Sequence, residues 1–205
     1  MTATTPTAGR RRDPEVDLRI SRAALEVFGA AGWSGFTIDA VAKAARVSKP
    51  TIYLRWDDKR QLLTDVLTGH IANVNDVDSG TLRGDLVELA RHLFDLYNGF
   101  AQQAVLRMAI EAPALPGIDK RWNDFQQSQV LAARAIVRRG IRRGELAKGT
   151  SVTFLLDALC GGMMNHALSV PPHLRAIVAR GRETYTEQFV DFLIRTLALN
   201  PRVPV

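Results

Sequence analysis

The sequence predicts an all-α protein of about nine helices: an N-terminal head of three short helices arranged as a helix-turn-helix, followed by a larger helical domain. Apolar residues recur at helical spacing along almost the whole chain, whereas strand-like alternation is almost absent. The second and third helices are separated only by a tight turn, as in a helix-turn-helix. With 205 residues, 46% of them hydrophobic, the chain is long enough to bury a sizeable core.

The first helix is predicted from Glu15. The preceding residues, 1–14, are rich in Thr, Pro, Ala and Arg and are expected to form a disordered basic arm. Gly32 is expected to end the helix. Its apolar residues fall at i, i+4, i+7 and i+8 and therefore share one face: Ile20, Ala24, Val27 and Phe28.

The next two helices are predicted from their caps. Thr37 is the expected N-cap of a helix over 38–45, with an acid in the first turn that suits the helix dipole. Arg46 lies in the following tight turn. Ser48 then caps a third helix that is expected to reach about Trp56.

The larger domain begins with a fourth helix, which follows a cap at Asp58 and is expected to run to about Asn75. Five more helices are expected: one from about Leu82, then 101–111, 118–143, one after Thr150 or Ser151, and 173–199. The loop 75–80 is the clearest break in the chain. We assign the remaining boundaries as follows: helix-turn-helix head 15–60, helical ligand-binding and dimerisation domain 61–200, and frayed tail 201–205.

The charge distribution favours an anionic partner. The formal net charge is +6 and the isoelectric point is about 10.0, and residues 1–60 hold 11 Lys and Arg against 7 Asp and Glu. Between Ala40 and Trp56 there is no acid at all. A carboxylate there would be repelled by phosphates, so this stretch is suited to nucleic acid. It holds four basic residues: Lys43, Arg46, Lys49 and Arg55.

Several other classes of protein and site are disfavoured. The single cysteine, Cys160, permits no intramolecular disulfide and suits a reducing cytoplasm, which is the expected location. No N-terminal apolar signal segment is present, and the longest apolar run, near 154–164, is interrupted by Asp157 and too short to cross a membrane. The four histidines show no metal-ligand spacing, so neither a metal nor another cofactor is expected.

Residues 37–63, TIDAVAKAARVSKPTIYLRWDDKRQLL, and the preceding FGAAGWSGFT resemble the DNA-binding signature of TetR-family transcriptional repressors. The resemblance covers roughly residues 15–65 by motif, and the remainder only by helix number and length. It implies an all-helical homodimer whose larger domain binds a small ligand, and whose two heads then release an operator. By matching positions, it implies these DNA contacts: Thr37, Ser48, Lys49, Thr51, Tyr53 and Lys59.

The chemistry of these and neighbouring residues agrees with the resemblance. Lys49 can reach guanine or a phosphate, and Tyr53 offers an apolar ring with a hydroxyl tip to the backbone. Lys59 follows a helix cap, where free amides also favour phosphate. Pro50 takes the second helical position, where the amide it lacks needs no partner, and its ring offers an apolar face to a thymine methyl. We add Lys43 and Arg55 to the predicted DNA contacts because both side chains are positively charged.

For two sets of basic residues, Arg46 and the arginines at 10–12, the sequence leaves open whether they contact DNA. Arg46 stands where this family usually has glycine, so a positive φ there costs about 1 kcal/mol relative to glycine. Its side chain either contacts phosphate or is only tolerated. The run 10–12 of three arginines either reaches into the minor groove or only solubilises the arm.

The larger domain is predicted to hold the ligand and the dimer interface. The helix near 154–164 is apolar nearly all round, which favours a homodimer interface over a central helix in a monomeric bundle. Asp157 within it is expected to pair with a cationic ligand or with an arginine across the interface. Candidate residues for an apolar effector are Tyr97, Phe100, Met108, Trp122, Phe125, Asp157, Met163, Met164 and His166.

We therefore predict a one-component regulator, not an enzyme, that represses transcription and is released by its ligand, although a co-repressor ligand would reverse the direction. Two other classes are weighed. One is a helical enzyme using Asp157, Cys160 or His166, which lie too close on one helix to form a triad and have no oxyanion device. The other is an interaction protein whose basic head binds acidic partners.

Overall fold

The computed structural model describes residues 13–70, 77–115 and 118–199, and these form an all-α protein, as predicted. Two short 3-10 segments, 112–114 and 172–174, accompany the helices. The α-helices of the described residues are α1 Pro14–Gly35, α2 Ile38–Ala45, α3 Lys49–Tyr53, α4 Lys59–His70, α5 Leu82–Asn98, α6 Gln102–Glu111, α7 Asp119–Arg142, α8 Val152–Ser169, α9 Arg175–Arg180 and α10 Arg182–Leu199.

Helix α1 contains a kink near its end. It begins at Pro14, one residue before the predicted start, because the Asp13 carboxylate accepts the Glu15 amide at 3.0 Å. Gly32 has φ +64°, which breaks the helical path as predicted. The chain then resumes helical structure to Gly35, so Gly32 bends the helix instead of ending it.

The turn between α2 and α3 has the backbone conformation that strains Arg46. The Thr37 hydroxyl caps α2 by accepting the Ala40 amide at 3.1 Å. Arg46 follows α2 with φ 55°, and the amide of the next residue, Val47, donates to the Ala42 carbonyl at 3.0 Å. This is a left-handed helix end in which glycine is usual.

Helix α3 is shorter than predicted. It ends at Tyr53 and continues as a turn, instead of reaching Trp56. The Trp56 amide still donates to the Ile52 carbonyl at 3.1 Å, and the Trp56 side chain packs partly buried against the head. The chain leaves the helix here because Asp58 starts α4 by accepting the amides of Arg60 and Gln61.

Two hydrophobic cores organise the chain. The first joins α1–α4 to α6 and the beginning of α7 and contains the fully buried Phe28, Ile52 and Met108. The second joins α5, α7, α8 and α10 around Leu86 and Leu159. The core of the head therefore extends well beyond residues 15–60, and both α4 and α6 of the larger domain pack directly on α1.

The end of the chain differs from the prediction of one long final helix. Gly181 separates α9 from α10, and its amide closes α9 by donating to the Val178 carbonyl at 3.0 Å. The described residues therefore form ten α-helices, one more than expected. No helix within the described ranges is long and apolar enough to cross a bilayer.

Some predictions fall on residues outside the described ranges: the arm at 1–12 with its three arginines, the end of the fourth helix near Asn75, and the tail 201–205.

Gly32→Ala is expected to destabilise the protein by at least about 1–2 kcal/mol, because a side chain at φ +64° is strained. A Cβ there would also lie 2.6 Å from the Arg107 guanidinium and 2.7 Å from the Glu111 carboxylate. Urea unfolding measures the change. The matched control is Gly69→Ala, in helical α4 with nothing within 4 Å, which should raise stability by about 0.5–1 kcal/mol. Equal effects at both positions would contradict the kink.

Candidate nucleic-acid interface and effector cavity

Helix α3 presents an exposed, acid-free face. Ile52 is fully buried in the head core and fixes the helix by its inner side. On the outer side Lys49 and Pro50 are exposed, and the Tyr53 side chain is 53% exposed. A large ring left in solvent by a helix anchored at its centre is suited to meeting a partner surface.

The start of α3 is fixed by a local cap. The Ser48 hydroxyl accepts the Thr51 amide at 3.4 Å, and the two side-chain oxygens lie 2.8 Å apart. Pro50 takes the second helical position, as predicted, where its missing amide leaves no bond unmade. The cap sets the direction in which the Lys49 and Tyr53 side chains leave the helix.

Lys49 is held by an exposed ion pair with Asp39 on α2, with 2.5 Å between the ammonium nitrogen and a carboxylate oxygen. The hydrogen bond that Lys49 donates to the Asp39 carboxylate, followed by the charge of that carboxylate, raises the pKa of Lys49 above its ordinary value. The lysine is therefore a cation at neutral pH. Exposed pairs contribute little to stability, so this ammonium can be transferred to a phosphate at small cost.

Arg55, predicted to contact DNA, has a role inside the head in this structure. Its side chain is only 12% exposed, pairs with Asp17 on α1 and donates to the Thr51 carbonyl at 2.9 Å. The prediction was based on charge alone and could not anticipate an acid 38 residues earlier in the chain. Arg55 fastens α3 to α1 and does not face outward.

Lys59 is likewise occupied within the head. Its ammonium donates to the carbonyls of Trp33 at 3.2 Å and Phe36 at 3.0 Å and lies 3.9 Å from the centre of the Trp33 ring. These carbonyls lack helical partners because α1 ends there. The predicted phosphate contact would require the lysine to leave three favourable interactions.

The other predicted DNA contacts lie on the surface of the head. Lys43 and Arg46 are exposed, and so is Thr37, although its hydroxyl caps α2. Thr51 is half-buried. Leu54, which sequence reasoning missed, is 78% exposed directly after Tyr53. A helix of five residues is too short for its periodicity to reveal which side faces out.

A cavity of about 410 Å³ lies among α5, α6, α7 and α8, within the ordinary range for small-molecule sites. Its wall is mainly apolar. Five of the nine predicted effector contacts line it: Tyr97, Trp122, Phe125, Asp157 and Met164.

The other four candidates have different surroundings. Met108 is fully buried in the head core, and Met163 is buried in the second core. His166 stacks on Tyr185 with 3.9 Å between ring centroids. Phe100 is exposed and lies 5.2 Å from the Arg22 guanidinium. Sequence reasoning grouped these residues by chemistry, but it could not assign each to one face of its helix.

Asp157 is exposed, so it does not need the buried partner that its apolar neighbours suggested. The polar lining that the sequence did not predict comes chiefly from α7. The missed polar residues are His92, Gln126, Gln129, Arg134 and Thr153. The three on α7, Gln126, Gln129 and Arg134, lie three and five residues apart and therefore share one broad side of that helix.

Burial favours the neutral form of three titratable groups in the cavity, His92, Tyr97 and Cys160. Burial lowers the pKa of His92 below its ordinary value and raises that of Tyr97. Burial also raises the pKa of the Cys160 thiol to about 11, so the thiol is not a nucleophile at neutral pH. Across the described ranges, no three His, Cys, Asp or Glu side chains converge as a metal site.

Helix α6 connects the cavity to the head. Val105, Leu106 and Ala109 line the cavity. On the side facing α1, the Glu111 carboxylate accepts the Trp33 amide at 2.9 Å, and Arg107 donates to the Gly29 carbonyl at 3.1 Å.

Arg107 and Glu111 also pair with each other at 3.0 Å. The two side chains therefore bind α1 on both sides of its kink. Trp122 and Phe125 make a second connection, because they line the cavity and also pack on the head core.

The comparisons with known proteins agree with this arrangement. Residues 20–66 match the family model described as bacterial regulatory proteins, tetR family, and residues 76–181 match tetracyclin repressor-like, C-terminal domain. The helix-turn-helix transcriptional regulator Rv1556 of Mycobacterium tuberculosis is 30% identical over 174 residues, 78% of this chain and 81% of that protein.

A DNA-binding transcriptional repressor TetR of Mycobacteroides abscessus is 44% identical over 66 residues, 31% of this chain and 35% of that protein. The crystal structure of the regulator FadR from Bacillus subtilis in complex with stearoyl-CoA has a similar fold. Its TM-score is 0.64 at 17% identity, covering 91% of this chain and 99% of that one.

The chain therefore belongs to the TetR family of transcriptional regulators, which bind DNA through a helix-turn-helix and are not enzymes. The alternative of a helical enzyme is set aside on this ground.

Arg55→Ala is expected to destabilise the head by about 1–2 kcal/mol, because it leaves the partly buried Asp17 without its cation. Lys49→Ala removes an exposed pair and should change stability by less than about 0.5 kcal/mol. Thermal unfolding of the two variants beside the parent measures the difference. An Arg55 variant as stable as the Lys49 variant would show that the guanidinium has no structural role.

Proposed function

We propose that the protein is a repressor that binds a pseudo-palindromic operator as a homodimer and is released when a small, mainly apolar effector fills the cavity. The observation that carries the proposal is the exposed, acid-free face of α3, fixed from within by Ile52 and at its start by the Ser48 cap. Because the operator is part of the bacterial DNA, the proposed repressor acts in the cytoplasm.

The DNA contacts that we propose belong to two groups. On α3, Lys49, Thr51 and Tyr53 meet the major groove and its phosphates, with Pro50 against a thymine methyl. Exposed Leu54 lies beside Tyr53 and offers a further apolar contact to thymine methyls. On the flanks, Thr37, Lys43, Arg46 and Ser48 contact the backbone, as polar groups around a recognition helix do.

A dimer is supported by apolar side chains left in solvent on α8 and α10. One face of α8 is buried in the second core, but its opposite face exposes Phe154 and Leu168. Phe192 on α10 is exposed as well. Pairing two copies through these helices covers the apolar surface and gives two recognition helices. Half-sites one helical turn apart then lie about 34–36 Å from each other.

Release by an effector is supported by the position of α6. A ligand among Val105, Leu106 and Ala109 pushes on the helix whose other side holds the kink of α1. The effector must prefer the head orientation that does not fit the operator, because equal affinity for both states shifts nothing. Coupling of this kind is typically about 1–3 kcal/mol.

An operator search tests the proposal directly. The full-length protein is footprinted across the genes that flank its own, and the protected sequence is then used in fluorescence anisotropy. We expect a protected pseudo-palindrome and a stoichiometry of two protomers for each site. The absence of any specific protection, with binding to acidic proteins instead, would favour the interaction-protein alternative.

Lys49→Ala and Tyr53→Ala are each expected to weaken operator binding at least about tenfold while the protein stays folded and dimeric, because both side chains lie on the outer face of α3. Binding should also weaken steeply with salt, and Lys49→Ala should lower the slope of log K against log salt by about one. Gly69→Ala, on exposed α4 surface, serves as the control. Unchanged affinity in both variants, or a flat salt response, would contradict this face as the interface.

A further inference from the structure

The cavity has a polar end and an aromatic end, and α7 connects them. Trp122 and Phe125 lie at the end that packs on the head, with rings 5.8 Å apart, and Arg134 lies at the other end. Twelve residues of helix separate Trp122 from Arg134, which is about 18 Å. The shape therefore fits an elongated ligand with one apolar end and one polar end.

Arg134 differs from Arg139 and Arg83 in its polar contacts. The residue is half-buried, and its guanidinium donates to the hydroxyl of exposed Thr153 over a long 3.3 Å. Among the described residues, no carboxylate lies within 4.0 Å of it. By contrast, Arg139 on the same helix pairs with buried Asp85 at 3.2 Å, and Arg83 on α5 pairs with Asp191 at 2.7 Å.

Asp157 is the opposing charge at this end of the cavity, but the two charges have different surroundings. Asp157 is exposed, so water solvates its carboxylate. Arg134 lines the cavity and donates to a neutral hydroxyl, which leaves most of its N–H donors to an anionic head group. With His92, Tyr97 and Cys160 neutral, Arg134 is the cation available to a bound ligand.

We propose that the effector is an elongated amphiphilic anion whose carboxylate or phosphate head binds Arg134 and whose apolar body extends along α7 towards Trp122. The inference rests on the proposed function of this cavity as the effector site. An arginine fork binds either head through two parallel N–H donors, and Thr153 adds a hydroxyl beside it. The apolar body fills the wall formed by Leu93, Leu96 and Leu156.

Isothermal titration calorimetry on the full-length protein tests the proposal. The probes share one chain and differ in head group: dodecanoate, dodecyl phosphate, neutral dodecanol and dodecylammonium, each below its critical micelle concentration. The parent should bind at least one of the two anions at least about tenfold more tightly than dodecylammonium. The tighter of the two anions identifies the head group.

The variants Arg134→Gln and Asp157→Asn form a matched pair with opposite expected effects. Arg134→Gln should weaken anion binding by roughly tenfold to a hundredfold while dodecanol binding stays unchanged, which also shows that the cavity is intact. Asp157→Asn should leave anion binding equal or tighter. Anion affinity that survives Arg134→Gln, tighter binding of dodecylammonium, or no binding of either anion would overturn the proposal.

The operator footprint of the ligand-free protein separates this inference from the proposed function. A protected operator together with no anion binding rejects the effector class but keeps the regulator. Anion binding without any protected operator rejects the regulator but keeps the anion site.

Discussion

The hydrogen bond between the Trp33 amide and the Glu111 carboxylate is the contact on which the position of the DNA-reading head depends. It exists because Gly32 takes a left-handed conformation and breaks the helical bonding of α1. A partly buried amide left without an acceptor would cost about 1–3 kcal/mol. Glu111 supplies that acceptor from α6, so the bend in α1 and the packing of α6 require each other.

Helix α6 therefore contacts both the head and the cavity. Arg107 and Glu111 hold α1 at its kink, while Val105 and Leu106 form the cavity wall. A ten-residue helix in a packed interior moves as a unit, because interiors transmit displacement without absorbing it. In the proposed function, the position of α6 when the cavity is filled sets the position of the head. Trp122, which lines the cavity and packs in the head core, is a second connection between them.

The sequence was most informative where structure is local. The Ser48 cap, the second-position Pro50 and the strained turn at Arg46 are set by neighbours within a few residues, and all three are present. The direction of the Arg55 and Lys59 side chains depends on Asp17, Trp33 and Phe36, which lie 23 to 38 residues away in the chain. Arg55 was assigned to DNA from its charge, and Lys59 from the family resemblance and its place at the start of a helix.

The cavity was harder to predict for the same reason. Aromatic and sulfur-bearing residues on long helices line a cavity or fill a core according to which face they occupy. Met108 and Met164 have the same chemistry, yet one is buried in the head core and the other lines the cavity. No motif in the sequence distinguishes Arg134, and its place in the cavity wall depends on the packing of α8, which puts Thr153 beside it.

Hydrogen exchange at the Trp33 amide, followed in the parent and in Glu111→Ala, tests most directly whether α6 holds the head. Loss of the acceptor should speed exchange at this amide at least about tenfold and loosen the end of α1, because about 1.4 kcal/mol corresponds to a factor of ten. The amides of α8 and α10 should not change. Equal exchange at Trp33 in both proteins would show that the head is positioned without α6, and would contradict the account.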